Sequence, residues 1–284
     1  MIIFVTGVTG QLGHDVTREL ESRGHTVLAP PHLELDITDG AKVIEYFKQN
    51  PPEAVIHCAA YTAVDKAQEE KEKCDAVNVS ATRILAKQCA MREIPMLYVS
   101  TDYVFPGSGD KPYEVYDRKG PLNEYGISKL AGEEMVRGLC KKYFIVRTSW
   151  VFGLHGKNFV KTVLRLADTK ERINVVDDQV GSPTYSKDLA RLLCDMIVSD
   201  KYGIYHATNE GFCSFYEFAN EIVRQAGKRL TINPTSTVLY EAPAKRPLNS
   251  RLSKASLDEA GFARLPDWHD ALSRYLKAMG IKEN

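Results

Sequence analysis

The sequence predicts an α/β protein: a doubly wound parallel sheet, with a smaller lobe toward the C-terminus. Three observations carry this. Short apolar runs alternate with helical patterns through the first half of the 284 residues, as parallel strands joined by long right-handed crossovers require. The runs are apolar throughout rather than alternating, which suits strands covered on both faces. A glycine-rich turn stands at the first strand–helix junction, and ligands on such sheets sit beyond the carboxyl ends of the strands.

The elements follow in order. Ile2–Thr6 is a continuous apolar run ending at Gly7, and a helical pattern over 11–23 stops at Gly24. Thr26–Leu28 is a short strand, and a helix over 41–49 is closed by Pro51 and Pro52, which cannot continue it. Ala54–His57 is a strand, 74–91 a long helix stopped before Pro95, and 96–100 a strand. A helix over 125–141 and a strand over 144–148 complete the first half. Beyond Val151 the pattern loosens. Residues 157–167, 188–199 and 215–226 look helical, and 203–207 reads as a strand rejoining the sheet. The segment 234–247, with Pro234, Pro243 and Pro247, should be extended and irregular. The expected division is a dinucleotide-binding domain over 1–151 with about 185–208, and a substrate-binding lobe over about 152–184 and 209–284. No repeat or low-complexity tract interrupts it.

Composition narrows the function. Hydrophobic residues make up 44% of the chain, enough for a large core. Lys plus Arg equals Asp plus Glu at 37 each, so no global field recruits nucleic acid or an acidic membrane, although a locally basic cleft stays open. Cys58, Cys74, Cys89, Cys140, Cys194 and Cys213 show neither Cys-x-x-Cys nor zinc-like spacing and read as reduced, mostly buried thiols. No basic stretch followed by an apolar one precedes Gly7, and no run approaches the roughly 20 apolar residues that span a bilayer. The expectation is a soluble cytoplasmic protein without nucleic-acid or membrane partners.

Gly7-Val8-Thr9-Gly10-Gln11-Leu12-Gly13 carries the first chemical signal. Glycines at such a turn permit unusual backbone angles and close approach of a pyrophosphate, and the helix that follows offers unpaired N–H groups to it. At this junction the motif points to a dinucleotide. The second strand leads into Ala29-Pro30-Pro31-His32, which supplies neither a carboxylate for a ribose hydroxyl nor an arginine for a 2′-phosphate. NADPH and NADH both remain open. The second signal is Tyr125-Gly126-Ile127-Ser128-Lys129, which puts Tyr125 and Lys129 on one helix face. An ammonium beside a phenol stabilises the phenolate and tunes it for proton transfer. Taken alone, the pair is also what a surface helix displays. Its context adds weight: Ser100-Thr101-Asp102-Tyr103-Val104-Phe105 ends a strand where the crevice should lie.

The G-x-x-G-x-x-G spacing resembles the extended short-chain dehydrogenase/reductase superfamily, which implies a Rossmann-type sheet. There a Ser or Thr at the strand end hydrogen-bonds the substrate oxygen, a role that falls to Thr101. Further segments resemble one family, the dTDP-4-dehydrorhamnose reductases. They are Ala59-Ala60-Tyr61-Thr62-Ala63-Val64-Asp65-Lys66-Ala67, Asn123-Glu124-Tyr125-Gly126 with Lys129-Leu130-Ala131-Gly132-Glu133, and Arg147-Thr148-Ser149-Trp150-Val151. Asp178-Gln179-Val180-Gly181-Ser182-Pro183-Thr184 and Arg246-Pro247-Leu248-Asn249-Ser250-Arg251-Leu252 belong with them, and the resemblance continues to Pro266-Asp267-Trp268.

The resemblance implies NAD(P)H-dependent reduction of a dTDP-linked 4-keto-6-deoxy-L-sugar to dTDP-L-rhamnose, a precursor of cell-surface polysaccharide. It implies Thr101, Tyr125 and Lys129 as catalytic residues. Gly7, Gly10, Gln11, Leu12, Gly13, Asp36, Ile37, Ala59, Ala60, Tyr61 and Thr62 would bind the cofactor, together with Tyr125 and Lys129. Asp102, Trp150, Asn158, Gln179 and Arg246 would meet the substrate with Thr101, Arg246 at its diphosphate. Some members dimerise around magnesium held by acidic side chains. Asp15 stands where those carry a longer Glu, so a magnesium ion at a homodimer interface stays open, with no metal ligand assigned. Two other functions share these motifs: a nucleotide-sugar epimerase or dehydratase, and a non-catalytic binding protein like the regulatory subunit of methionine adenosyltransferase. The D-Q-x-G-x-P-T and R-P-x-N-S segments favour reduction, and an intact Thr101, Tyr125 and Lys129 argues against the non-catalytic reading.

Overall fold

The computed structural model describes residues 1–240 and 242–281; Glu241, inside the proline-bearing segment, and 282–284 lie outside the described residues. The first half runs β1 (Ile2–Thr6), α1 (Gln11–Ser22), β2 (Thr26–Leu28), α2 (Gly40–Gln49), β3 (Ala54–His57), α3 (Val64–Ala67) and α4 (Lys71–Asp75). It continues with α5 (Thr82–Arg92), β4 (Met96–Thr101), α6 (Glu124–Leu139) and β5 (Tyr143–Thr148). Then come β6 (Val151–Phe152), α7 (Phe159–Ala167), β7 (Arg172–Val176), β8 (Val180–Gly181), β9 (Thr184–Tyr185), α8 (Ser186–Ile197) and β10 (Gly203–His206). The chain ends through β11 (Cys213–Ser214), α9 (Phe215–Gln225), β12 (Thr231–Thr235), α10 (Ala255–Ala260) and α11 (Trp268–Ala278).

Six strands form one parallel sheet in the order β10-β5-β4-β3-β1-β2. Period-two alternation builds the two faces. Ile3 and Val5 of β1 join Ile56, Leu97 and Val146 in a core with Leu12, Val16 and Leu20 of α1 and Leu189, Leu193 and Met196 of α8. Phe4, between Ile3 and Val5, points the other way, into a core with Val55, Tyr98, Ile145, Phe47 and Leu85. Helices on both faces explain why these strands carry apolar residues at successive positions rather than alternating ones. A third core, with Phe152, Val160, Phe218, Trp268 and Tyr275, lies among the later elements.

Three segments differ from the sequence expectation. The long helix expected over 74–91 begins earlier, as α4, and passes through a π-helical stretch, Ala76–Ala81, before α5. The wide turn carries Asn78, whose side chain bonds the Tyr61 backbone and the Ser128 hydroxyl as well as Cys74 Sγ. The proline-bearing segment starts in strand: β12 pairs in parallel with β7, and Pro234 is accommodated in that two-stranded ladder. Helix α11 was not anticipated, although its buried Trp268, Ala271, Leu272, Tyr275 and Leu276 repeat at helical spacing. Leu257 and Leu265, far along the chain, pack into the same core as Ile3.

Candidate active site

Strand order reverses at β1, with β2 on one side and β3 on the other. The crevice at such a switch point, beyond the carboxyl ends, is where ligands bind. A cleft of about 1240 Å³ opens there. All seven residues of the loop from Gly7 to Gly13 line it, with Asp36, Ile37, Ala59, Ala60, Tyr61, Thr62, Thr101, Asp102, Tyr125, Lys129 and Trp150.

The glycines are required by packing. Gly7 has φ of +73°, and a Cβ there would lie 2.8 Å from the Ala59 nitrogen. A Cβ on Gly13 would lie 2.2 Å from the Gly7 oxygen. Gly10 caps α1 with no side-chain hydrogen bond, which leaves the first N–H groups of the helix to the cleft. A cradle of glycines ending in an uncapped helix fits a pyrophosphate. Gly13→Ala should therefore weaken dinucleotide binding by about tenfold or more, since the turn must shift to admit the methyl. A fluorescence titration giving wild-type affinity would defeat this account.

Away from the glycines, the Asp36 Oδ1 accepts from the Thr38 N–H at 2.9 Å and the Thr38 hydroxyl at 2.7 Å, and these bonds hold its carboxyl below the usual range. The 59–62 turn is pinned from two sides. The Ala59 N–H donates to Thr6 Oγ1 at 3.0 Å, and the Tyr61 N–H donates to Asn78 Oδ1 at 2.8 Å.

Thr101 ends β4 and registers with Thr148 at the end of β5. Its hydroxyl donates to Asp102 Oδ1 at 3.0 Å. Asp102 is 3% exposed, and burial pushes its carboxyl up to about 6 against the pull of the Ser250 and Thr101 hydroxyls. Tyr125, in the first turn of α6, is half-buried and meets the Tyr103 ring edge-on at 5.6 Å. Burial raises its pKa, while a hydrogen bond with Thr101 pulls the other way. Lys129, one helical turn on, is 2% exposed, donates to the Val99 carbonyl at 2.8 Å and stands 4.0 Å from the Tyr98 ring centroid. Burial pushes it down to about 7. The spacing of this pair had suggested a phenol made acidic by the ammonium. In the cleft burial is the largest influence on Tyr125 and raises its pKa, so Tyr125 is a neutral phenol at neutral pH. Asp102 Oδ2 and Thr148 Oγ1 are buried without a hydrogen-bond partner, and both residues line the cleft. Orphaned polar atoms in a cleft wall are what a polar ligand would satisfy.

The expected substrate residues divide. Trp150 lines the cleft, stacks on Phe215 at 3.7 Å and holds φ of +48°, a left-handed conformation that a bulky residue rarely adopts. Arg246, Gln179 and Asn158 stand outside the lining. Arg246 pairs with Asp65 at 2.7 Å, and its charge lies near Tyr103, a lining residue. Gln179 is buried and donates to Thr237 Oγ1 at 3.0 Å. Asn158 caps α7 and donates to Gln11 Oε1 at 2.9 Å, the Gly153 carbonyl at 2.8 Å and the Tyr275 hydroxyl at 3.3 Å. It ties the phosphate loop to the third core. Asp15 accepts the Ser186 hydroxyl at 2.5 Å, and no group of three or more acidic, His or Cys residues is placed to hold a metal among the described residues.

The motifs did not single out Thr148, Lys73 and Lys157, which also line the cleft, or Asn78, which pins the 59–62 turn. Thr148 could have been found as the end of a parallel strand beside Thr101. Asn78 could not, because it sits within the π-helical stretch Ala76–Ala81, where the ordinary helical period does not hold.

The family described as RmlD substrate binding domain matches residues 1–281. The spore coat polysaccharide biosynthesis protein SpsK of Bacillus subtilis (strain 168) is 40% identical over 275 residues, covering 97% of this chain and 96% of that protein. A dTDP-4-dehydrorhamnose reductase of Aggregatibacter actinomycetemcomitans is 40% identical over 283 residues, covering 95% and 96%. The crystal structure of dTDP-4-dehydrorhamnose reductase from Bacillus anthracis str. Ames in complex with NADP superposes with a TM-score of 0.95 at 39% identity, covering 98% of this chain and 99% of that one. With its glycine cradle, its Thr101–Tyr125–Lys129 constellation and these matches over nearly its whole length, the chain belongs to the RmlD substrate binding domain family.

Proposed function

We propose that the protein reduces the C4 keto group of dTDP-4-dehydrorhamnose to give dTDP-L-rhamnose, with NADPH as reductant. The observation that carries this is the convergence of Thr101, Tyr125 and Lys129 on the cleft that the glycine loop enters. The NADP-bound relative supports the choice of cofactor. When bound, NADPH supplies the hydrogen and electron pair taken up at C4.

The chain's own residues do the rest. The loop from Gly7 to Gly13 would hold the pyrophosphate, Asp36 and Ile37 the adenosine end, and the 59–62 turn the middle of the dinucleotide. Tyr125, a neutral phenol at working pH, gives its proton to the C4 oxygen as the alcohol forms. Thr101 donates a hydrogen bond to that oxygen. Lys129 stabilises the phenolate left behind until it is reprotonated. Asp102 accepts from a sugar hydroxyl, and Trp150 forms a wall against the sugar ring, so that C4 is presented in one pose. Arg246 turns from Asp65 to the substrate diphosphate, exchanging one anion for another. Gln179 and Asn158 hold the walls of the substrate side in place.

Supplied with dTDP-4-keto-6-deoxyglucose, a 3,5-epimerase and NADPH, the protein should oxidise one NADPH per dTDP-L-rhamnose formed. With NADPH deuterated at nicotinamide C4 on the transferred face, mass spectrometry should find deuterium at sugar C4. Product without net NADPH oxidation would mean an epimerase, and no product would mean a binding protein.

A further inference from the structure

Behind the cleft wall runs a buried polar chain that this chemistry leaves unused. Glu133 lies on α6, one turn beyond Lys129, and is 1% exposed. Its Oε1 accepts from the Ser100 hydroxyl at 2.6 Å and from Arg147 Nε at 2.8 Å, and its Oε2 accepts from Arg147 Nη2 at 2.6 Å. Arg147, on β5, is equally buried; its Nη1 donates to the Val115 carbonyl at 2.8 Å and lies 3.3 Å from His206 Nε2 on β10. Ser100 precedes Thr101 on β4 and itself lines the cleft. One carboxylate thus ties together the helix bearing Tyr125 and Lys129, the strand ending in Thr101 and the strand ending in Thr148. Stability alone does not call for this arrangement, because a buried ion pair is often matched or bettered by apolar residues of the same volume.

We propose that Glu133 is a positioning residue for the reaction: one turn beyond Lys129 on α6 and bonded to Ser100 and Arg147, it places a carboxylate behind Lys129 and holds Thr101 in register with Tyr125. The proposal rests on the roles assigned above to those three residues. The environment of Lys129 supports it. Burial pushes the ammonium down to about 7, and Glu133 is foremost among the groups opposing that, ahead of the Cys58 and Cys74 thiols. Burial keeps those thiols protonated, so they carry no charge of their own at neutral pH. His57 of β3 is pushed down to about 3 and is neutral, and burial keeps the Tyr98 and Tyr125 hydroxyls neutral too. Glu133 itself is faced by Ser100 and Tyr98 from β4, Arg147 from β5 and Lys119 from the segment before α6. Of all these, Glu133 is the negative charge that acts on Lys129.

A rate that needs the Lys129 ammonium falls as pH rises through its pKa, and removing a nearby negative charge lowers that pKa. In Glu133→Gln the alkaline limb of kcat/KM should move to lower pH by about one unit. Because this variant strands a buried guanidinium, the double variant Glu133→Gln with Arg147→Gln is assayed beside it and should move the same way. Glu133→Asp, which keeps the charge, should leave the limb in place even where kcat falls. Lys129→Met, followed on its residual rate, should lose the limb altogether. If the limb vanishes in Lys129→Met but stays put in folded Glu133→Gln and in the double variant, Glu133 is only structural and the proposal fails. If it persists in Lys129→Met, the reading of Lys129 fails instead. Should neither Glu133→Gln variant fold, Ser100→Ala decides. It removes one hydroxyl from the register contact and should lower kcat about tenfold with KM little changed. Wild-type kcat in Ser100→Ala would overturn the proposal.

Discussion

Replacing Tyr125 by Phe should lower turnover at least about a hundredfold, the usual scale for losing a general acid and equivalent to about 2.7 kcal/mol of barrier. NADPH affinity should change little. The ring makes the contacts that shape the cleft, including the edge-on approach to Tyr103 at 5.6 Å, and Phe keeps them. What is lost is the hydroxyl, which burial holds in its protonated form and which bonds to Thr101. A neutral phenol is the form that can give a proton to a forming alcohol, so the free protein is poised in the donor state. Stopped-flow reduction with saturating NADPH isolates this step from binding. Turnover near the wild-type value would remove Tyr125 as the proton donor.

The second large effect is on stability. Asp102→Asn should make the protein more stable at pH 7.5 by about 3 kcal/mol, with the gain shrinking toward zero near pH 4. Burial pushes the Asp102 carboxyl from its ordinary 3.8 up to about 6. Between those values the folded protein holds a proton that the unfolded chain releases. The stabilisation linked to that proton is fully present below the unfolded pKa and is lost as pH rises through about 6. At neutral pH the wild type carries a buried carboxylate whose Oδ2 has no hydrogen-bond partner. Asparagine is neutral throughout and avoids that burden. Urea titrations at pH 7.5 and pH 4 test this, provided the slopes match. A difference that does not vary with pH would contradict it. The same variant should turn over more slowly, since a carboxylate kept unsatisfied in a cleft wall awaits a donor from the substrate.

Much of this site could be seen in the sequence because its signals are local. The turn from Gly7 to Gly13, the Tyr125–Lys129 spacing and the strand end at Thr101 each occupy one short stretch, and the structure brings all three to one cleft. The parallel sheet was equally legible, because burial on both faces makes successive positions of a strand such as Ala54–His57 apolar up to its final residue. The later elements were harder. β7 and β12 are only partly buried, and their pairing joins segments almost 60 residues apart, which no local period announces.

By itself the sequence determined the strands and most of the helices of the first half, where the phosphate turn lies, and the spacing that puts Tyr125 and Lys129 on one helix face. These depend on periodicity and on backbone freedom at a few glycines, which act over a handful of neighbours. Tertiary structure alone decided the partnerships: Glu133 with Ser100 and Arg147, Arg246 with Asp65, Gln179 with Thr237, Asn158 with Gln11. It also decided the sign of the Tyr125 shift, because burial against charge is settled by everything packed around a group. Such contacts join positions distant in the chain, and a single sequence carries no spacing that encodes them.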